Sequence, residues 1–213
     1  MATMKVNLAG RPRSPDAEEK ICNAAIELVA KIGYADTTIE KIAEKAKVAK
    51  TTIYRRWVSK AAMMVSVYER FVQPEIQIIG ELSFREEMSQ ILHAVFAIYH
   101  KTSADIILGG LIAEAQNNPD TMTALKCGVI QQRRDILTNV ISRAIQSNEL
   151  SASLNEQDIS DLIVAMIWHR LLTNRQHLNS AFIETMINYV MAIGNPEWTK
   201  LKTLALLDIN LAA

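Results

Sequence analysis

Three observations predict an all-α fold of about nine helices for this chain of 213 residues. Glycine and proline are scarce, at 7 and 5, while Ala, Leu, Ile, Met, Glu and Lys are plentiful, a composition that favours helix over sheet. Apolar residues recur three and four positions apart, and no run alternates as a half-buried strand does. Capping residues and helix stops punctuate that periodicity at intervals suited to short and medium helices.

Residues 1–13 end in Gly10-Arg11-Pro12-Arg13 and read as a flexible basic arm. Ser14 as N-cap, Pro15 at the first helical position and the acids Asp16, Glu18 and Glu19 open the first helix at the positive end of its dipole. Its apolar stripe is Ile21, Ala25, Leu28, Val29 and Ile32, and Gly33 supplies a left-handed stop. Thr37 followed by Glu40 matches a capping box for a second helix over Thr38 to Ala46, with Ile39, Ile42, Ala43 and Ala46 facing inward. A third helix is expected from Lys50 to Trp57. Ser59 caps a fourth that continues to Val72, where Pro74 ends it. Ser83 and Glu86 form a capping box for a fifth helix ending near His100, and residues 103–117 form a sixth. Asn118-Pro119 opens one long seventh helix reaching Ser147. An eighth covers Glu156 to Thr173 and a ninth Ala181 to Ile193, closed by Gly194-Asn195-Pro196. The tail, 197–213, has the composition of one further helix.

Composition excludes several function classes. No apolar run approaches the roughly 18 residues of a membrane span, and the N-terminus lacks the apolar core of a signal peptide. Cys22 and Cys127 form no metal or redox motif and read as buried small hydrophobes in a reducing, cytoplasmic setting. A Gly-rich phosphate loop, a nucleophile elbow and a His/Glu metal cluster are all missing, so neither enzyme, cofactor nor metal is expected. Net charge is zero, yet residues 1–60 hold 12 Lys/Arg against 7 Asp/Glu while residues 61–213 hold 11 against 16. A basic front and an acidic rear suit a phosphate-meeting module joined to one that meets no phosphate. The predicted division is an arm over 1–13, a helix-turn-helix domain over 14–60 and a helical domain over 61–213.

The stretch from Thr37 to Lys60, TTIEKIAEKAKVAKTTIYRRWVSK, reads as two short helices joined by a tight turn. The second carries more cations and hydroxyls than packing explains, and such a helix suits the DNA major groove. Thr51 and Thr52, near its start, are the expected base-edge readers, and Lys50 is placed at guanine or phosphate. Tyr34, Thr38, Tyr54 and Lys60 are expected at phosphates, Lys60 from the positive end of the fourth helix, with Arg55 or Arg56 adding another. Arg11 and Arg13 flank a proline in the arm and are expected in the minor groove. The competing reading is an all-α ligand-carrying or protein-interaction module whose basic helix meets no DNA.

With Gly33-Tyr34, Thr37-Thr38, IAEKAKVAKTTIYRRW (42–57) and Ser59-Lys60 in place, the chain resembles the TetR family of bacterial transcription regulators over its first 65 or so residues. The remainder is similar to a regulatory domain common in that family through LIAEAQNNPD (111–120), Arg133-Arg134, Asn148-Glu149-Leu150 and MIWHRLL (166–172). The resemblance implies a homodimeric, ligand-responsive regulator, most often a repressor, on an inverted-repeat operator in double-stranded DNA. Two positions depart from the pattern. Lys47 stands where glycine is usual, and a left-handed backbone there costs a non-glycine residue about 1 kcal/mol. Ala49 replaces the usual Ser, removing an N-cap worth about 1 kcal/mol.

In the eighth helix, Leu162 to Trp168 is an unbroken apolar run of seven that covers every face. One face is therefore expected on the chain's own core and another on a second subunit. The ninth helix adds a wide apolar stripe, and the resemblance implies that both helices pair with their symmetry mates in a four-helix bundle. Leu162, Met166, Phe182, Met186, Ile187 and Val190 are the expected dimer contacts. An effector pocket is expected among the fifth to eighth helices, lined by Phe96, Tyr99, Leu111, Ile130 and Trp168, with Gln131 or His169 orienting a hydrophobic or aromatic ligand. Phe71 and Val72 are expected to pass its push to the fourth helix. His93 and His100 fall outside the stripe of the fifth helix and read as solvated rather than metal-binding.

Overall fold

A computed structural model describes residues 15–72, 82–173 and 178–195. Arg11, Arg13, the cap Ser14, the stop at Pro74, Pro196 and the tail lie outside them. Every regular element among the described residues is helical. The chain divides into two compact units, Met1–Lys60 and Ala61–Ala213.

In the first unit α1 covers Pro15–Asp36, α2 Ile39–Ala46 and α3 Lys50–Tyr54. The backbone of α1 leaves helical geometry at Gly33 (φ 79°, ψ 171°), as the expected stop requires, but a last helical turn follows to Asp36. That positive φ favours glycine. The cap of α2 is Thr38 rather than Thr37: its Oγ1 accepts from the Lys41 N–H at 3.4 Å. Thr37 is fully buried instead, and its hydroxyl donates to the Gly33 carbonyl at 2.7 Å. Lys47 takes the left-handed conformation that the turn demands (φ 55°, ψ 45°), and Ala49 makes no side-chain cap. α3 is shorter than expected because the chain tightens into turns after Tyr54, with Arg56 N–H bonded to the Ile53 carbonyl at 2.9 Å. Ile21, Cys22, Ala25 and Val29 of α1 are buried, as are Ile42 and Ala43 of α2 and Ile53 and Trp57. Burying one isoleucine contributes roughly 2 kcal/mol, so Ile53 alone fixes much of the pose of so short a helix.

α4, Lys60–Val72, leads into the second unit. α5 covers Phe84–Lys101, opened by the expected capping box of Ser83 and Glu86, and α6 covers Ala104–Ala115. The Ser83 hydroxyl and backbone N–H hold the Glu86 carboxyl below its usual range. The expected long helix is one rod in three parts, here α7: Pro119–Leu125, a π turn over Lys126–Ile130, and Gln131–Gln146. Gly128 lies in the π turn, where a β-carbon would overlap Cγ1 of Val65 on α4, so the Val65 side chain fills the space that a residue larger than glycine would need. α8 covers Glu156–Thr173 and α9 Ser180–Ile193. α5 packs against α9 and α7, and α8 against α7 and α6. Cys127, expected in the core, is exposed, because the π turn carries it to the outer face of α7. No single helix among the described residues is long and apolar enough to cross a membrane.

Candidate functional site

α3 is anchored from beneath by Ile53 and presents Lys50, Thr51, Tyr54 and Arg55 to solvent, with Thr52 half-buried. Lys50 Nζ meets Glu40 Oε1 of α2 at 2.9 Å, with both side chains more than half exposed. The Lys50 ammonium holds the Glu40 carboxyl below its ordinary range, helped by the helix backbone and the Thr38 hydroxyl. Such an exposed pair is screened by salt and can exchange its anion.

Besides Lys50, four residues expected at DNA have partners inside the unit. Arg56 Nη1 binds Glu18 Oε2 at 2.6 Å, its side chain only 13% exposed, and so ties the end of the α3 turn to the start of α1. Tyr34 is buried; Lys60 Nζ donates to the Tyr34 carbonyl at 2.8 Å and lies 4.0 Å over its ring centroid. Thr38 caps α2. For Thr38, Arg56 and Lys60 the physical reason is the same: a helix end or turn supplies unpaired backbone groups or a nearby carboxylate within reach, and these side chains satisfy them, while Tyr34 is held in the core.

A crevice with about 40 Å³ of free volume lies within the second unit. Ile91, Leu92 and Val95 of α5, Arg133, Ile136 and Leu137 of α7, and Val164 and Ile167 of α8 line it. Its wall is apolar apart from Arg133. Nε and Nη2 of that guanidinium are buried without a hydrogen-bond partner. Its Cζ stands 5.1 Å from the ring centroid of Tyr68 on α4 and 5.6 Å from that of Tyr99 on α5. The two hydroxyls meet at 3.0 Å, and burial pushes the Tyr99 hydroxyl far above its usual pKa. Burial lowers the Arg133 pKa to about 10, so it stays protonated at neutral pH.

The seven predicted pocket residues are not among the eight that line this crevice. Phe96 is buried and stacked on Phe182 of α9, centroids 6.2 Å apart, and Leu111 is fully buried. Ile130 is half-buried in the π turn. Gln131 is exposed and donates to Asp135 Oδ1 at 2.8 Å, and His169 is exposed on the outer face of α8. Trp168 is half-buried with its Nε1 sealed off and unpartnered. Arg133 and Tyr68 were missed. The signal was present: Val129, Arg133, Leu137 and Val140 recur at helical spacing, which puts a cation on an apolar stripe.

Helix α9 turns its apolar stripe inward. Phe182, Met186, Ile187 and Val190, expected at a dimer contact, are buried within the protomer against α5 and its neighbours. The opposite face leaves Tyr189 at 55% and Ile193 at 44% exposure. On α8, Leu162 and Met166 are half-buried, Ala165 is exposed and Leu172 is 51% exposed. His93 and His100 are not simply solvated. His93 Nε2 meets Ser180 Oγ at 3.1 Å and His100 Nε2 donates to the Leu178 carbonyl at 2.6 Å, both joining α5 to the start of α9. No cluster among the described residues could hold a metal ion.

Comparison with known proteins places these features. Residues 21–67 match bacterial regulatory proteins of the tetR family, and residues 79–190 match the tetracyclin repressor-like C-terminal domain. The chain is 27% identical over 179 residues to the uncharacterized HTH-type transcriptional regulator YdeS of Bacillus subtilis, covering 84% of this chain and 89% of YdeS. Its fold is similar to that of the TetR family transcription regulator SCO0332, with a TM-score of 0.65, 25% identity and 83% and 97% of the two chains covered. It is also similar to the transcriptional regulator FadR from Bacillus subtilis in complex with stearoyl-CoA, with a TM-score of 0.68, 20% identity and 81% and 97% covered. A helix-turn-helix unit and a helical C-terminal domain, both matched along most of their length, make this chain a member of the TetR family of DNA-binding transcriptional regulators.

Proposed function

We propose that the protein is a homodimeric repressor that reads an inverted-repeat operator through α3 and leaves it when an apolar small molecule enters the C-terminal unit. The observation that carries this reading is the crevice between α5, α7 and α8, which touches α4 through Arg133 and Tyr68. α4 follows directly on the DNA-reading segment, so a shift of Tyr68 is felt by the helix that continues the recognition turn. At about 40 Å³ the crevice is far smaller than the several hundred Å³ of a typical ligand site. An occupant must part α5 from α7 and α8, and it then favours a conformation that the empty protein avoids. Phe71 is half-buried, and the side chain of Val72 lies outside the described residues, so Tyr68 replaces them as the contact that carries the movement. The stearoyl-CoA complex of FadR supports an effector with an acyl chain.

Dimerisation is supported by the exposed apolar residues Leu172, Tyr189 and Ile193 on α8 and α9. Twofold symmetry then presents two α3 helices to half-sites about 34–36 Å apart or somewhat more. The test selects duplexes from a random pool and follows binding against salt, with sedimentation of the free protein. A dimer that enriches an inverted repeat with a steep salt slope is expected. A monomer at micromolar concentration, or duplex binding independent of salt, would sink the reading.

A further inference from the structure

We infer that the C-terminal unit binds an apolar organic acid, its carboxylate held edge-on by Nε and Nη2 of Arg133. The inference rests on the ligand-responsive reading above and names the class of ligand.

The argument begins with what Arg133 lacks. A buried charge is ordinarily paired, because removing a guanidinium from water is unfavourable and only hydrogen-bonded anions restore the loss. Here the two tyrosine rings cover a face of the guanidinium, a favourable contact that leaves the N–H edge unused. Nε and Nη2 are the two atoms without partners, and their N–H bonds run parallel along one edge of the fork. That edge matches the two oxygens of a carboxylate in a bidentate pair. The remaining wall of the crevice is aliphatic, so the rest of the ligand is hydrocarbon.

Two further orphans fall on the same helix face. Ser160 Oγ and Trp168 Nε1 are buried and unpartnered. They lie four residues before and four after Val164, which lines the crevice, and a helix stacks such positions on one side. Apart from Arg133, these are the only buried side-chain polar atoms without a partner among the described residues. A ligand entering between α7 and α8 would offer acceptors to all three residues.

The test uses the full chain and three probes of one length: octanoate and octylammonium below their micelle concentrations and 1-octanol below its solubility limit. Calorimetry and thermal shift are run on the parent, Arg133→Met and Arg133→Lys, together with release of a selected operator duplex. Octanoate is expected to bind the parent at least tenfold more tightly than octanol, with octylammonium weakest. Arg133→Met is expected to level octanoate with octanol and to melt no lower than the parent, since it removes an unpaired buried charge. Arg133→Lys, which keeps charge but loses the fork, is expected between the two. Equal octanoate and octanol affinity in the parent, undiminished octanoate binding in Arg133→Met, or no octanoate binding at millimolar concentration each overturns the inference. If octanol releases operator as well as octanoate does, the regulator reading stands and the acid site falls. If octanoate binds through Arg133 and leaves operator affinity unchanged, the acid site stands and the effector reading falls.

Discussion

Arg133 of the second unit is treated in the opposite way to Lys50 and Arg56 of the first. In the first unit Lys50 lies exposed against Glu40 and Arg56 is paired with Glu18, so each positive charge already has an anion or open water beside it. In the second, Arg133 is enclosed by two tyrosine rings and an aliphatic wall with its N–H edge unsatisfied. An exposed pair exchanges a carboxylate for a phosphate with little change in desolvation, which suits a surface that slides along any duplex. A buried unpaired cation gains far more from an anion, which suits selection of one ligand. The difference explains why a weak charge asymmetry along the chain bears on DNA and not on the proposed ligand of the second unit.

The largest effect should separate the two faces of α9. Ile187→Asp places an unpaired carboxylate at a fully buried site and is expected to cost on the order of 4 kcal/mol, enough to unfold a marginal domain. Tyr189→Asp, on the exposed face, should keep the helical circular dichroism and instead dissociate the proposed dimer. If sedimentation shows Tyr189→Asp still dimeric, that face of α9 is not the interface.

Next come the cations and hydroxyls of the recognition segment. Thr52→Ala or Lys50→Ala should lose about 1–3 kcal/mol of operator affinity and relax sequence preference wherever the side chain reads a base edge. Arg55→Ala should weaken all duplexes alike and flatten the salt slope by about one, with an unchanged melting temperature. Arg56→Ala should do the reverse, losing about 1–2 kcal/mol of stability with its partly buried Glu18 pair. Anisotropy titrations at several salt concentrations, set beside thermal melts, check both, and identical behaviour of the two variants would refute the contrast.

Backbone repair should be smaller. Lys47→Gly relieves a positive φ and Ala49→Ser restores a cap, each expected to add about 1 kcal/mol to the first unit. Chemical denaturation of the variants reads the gain, and a loss on Lys47→Gly would mean that the left-handed turn carries no strain.

The smallest effect concerns Glu40. Its carboxyl pKa is depressed in the folded protein, so what the pair contributes is present above the ordinary carboxylate pKa and lost as pH falls through the lower folded value. Between pH 6 and 8 neither stability nor DNA affinity should vary through this group. Glu40→Gln should leave melting unchanged and raise duplex affinity by less than tenfold, because Lys50 no longer has to leave a carboxylate. Weaker duplex binding in that variant would show that Glu40 positions Lys50 rather than competing for it.

Sequence alone determined a good deal here. The helix periods, the capping box at Ser83 and Glu86, the turn at Lys47 and the missing cap at Ala49 follow from contacts within a few residues, and such contacts are written in local order. For the same reason the helix-turn-helix segment was legible in one stretch. Choices between competing partners were not legible. Thr38 rather than Thr37 caps α2 because Thr37 is buried beneath Gly33, and Arg56 rather than Arg55 finds Glu18 thirty-eight positions away. The π turn in α7 places Gly128 against the side chain of Val65 on α4, sixty-three positions earlier in the chain. Which face of α9 turns inward, and which cation of Arg133-Arg134 is buried, depend on helices brought together from far along the chain. Arg134 reaches Asp161 on α8 at 2.7 Å while Arg133, one residue earlier and about 100° around the helix, lies in the apolar crevice with no carboxylate. Only packing decides between two such neighbours, because burial is a property of the surroundings and not of the residue.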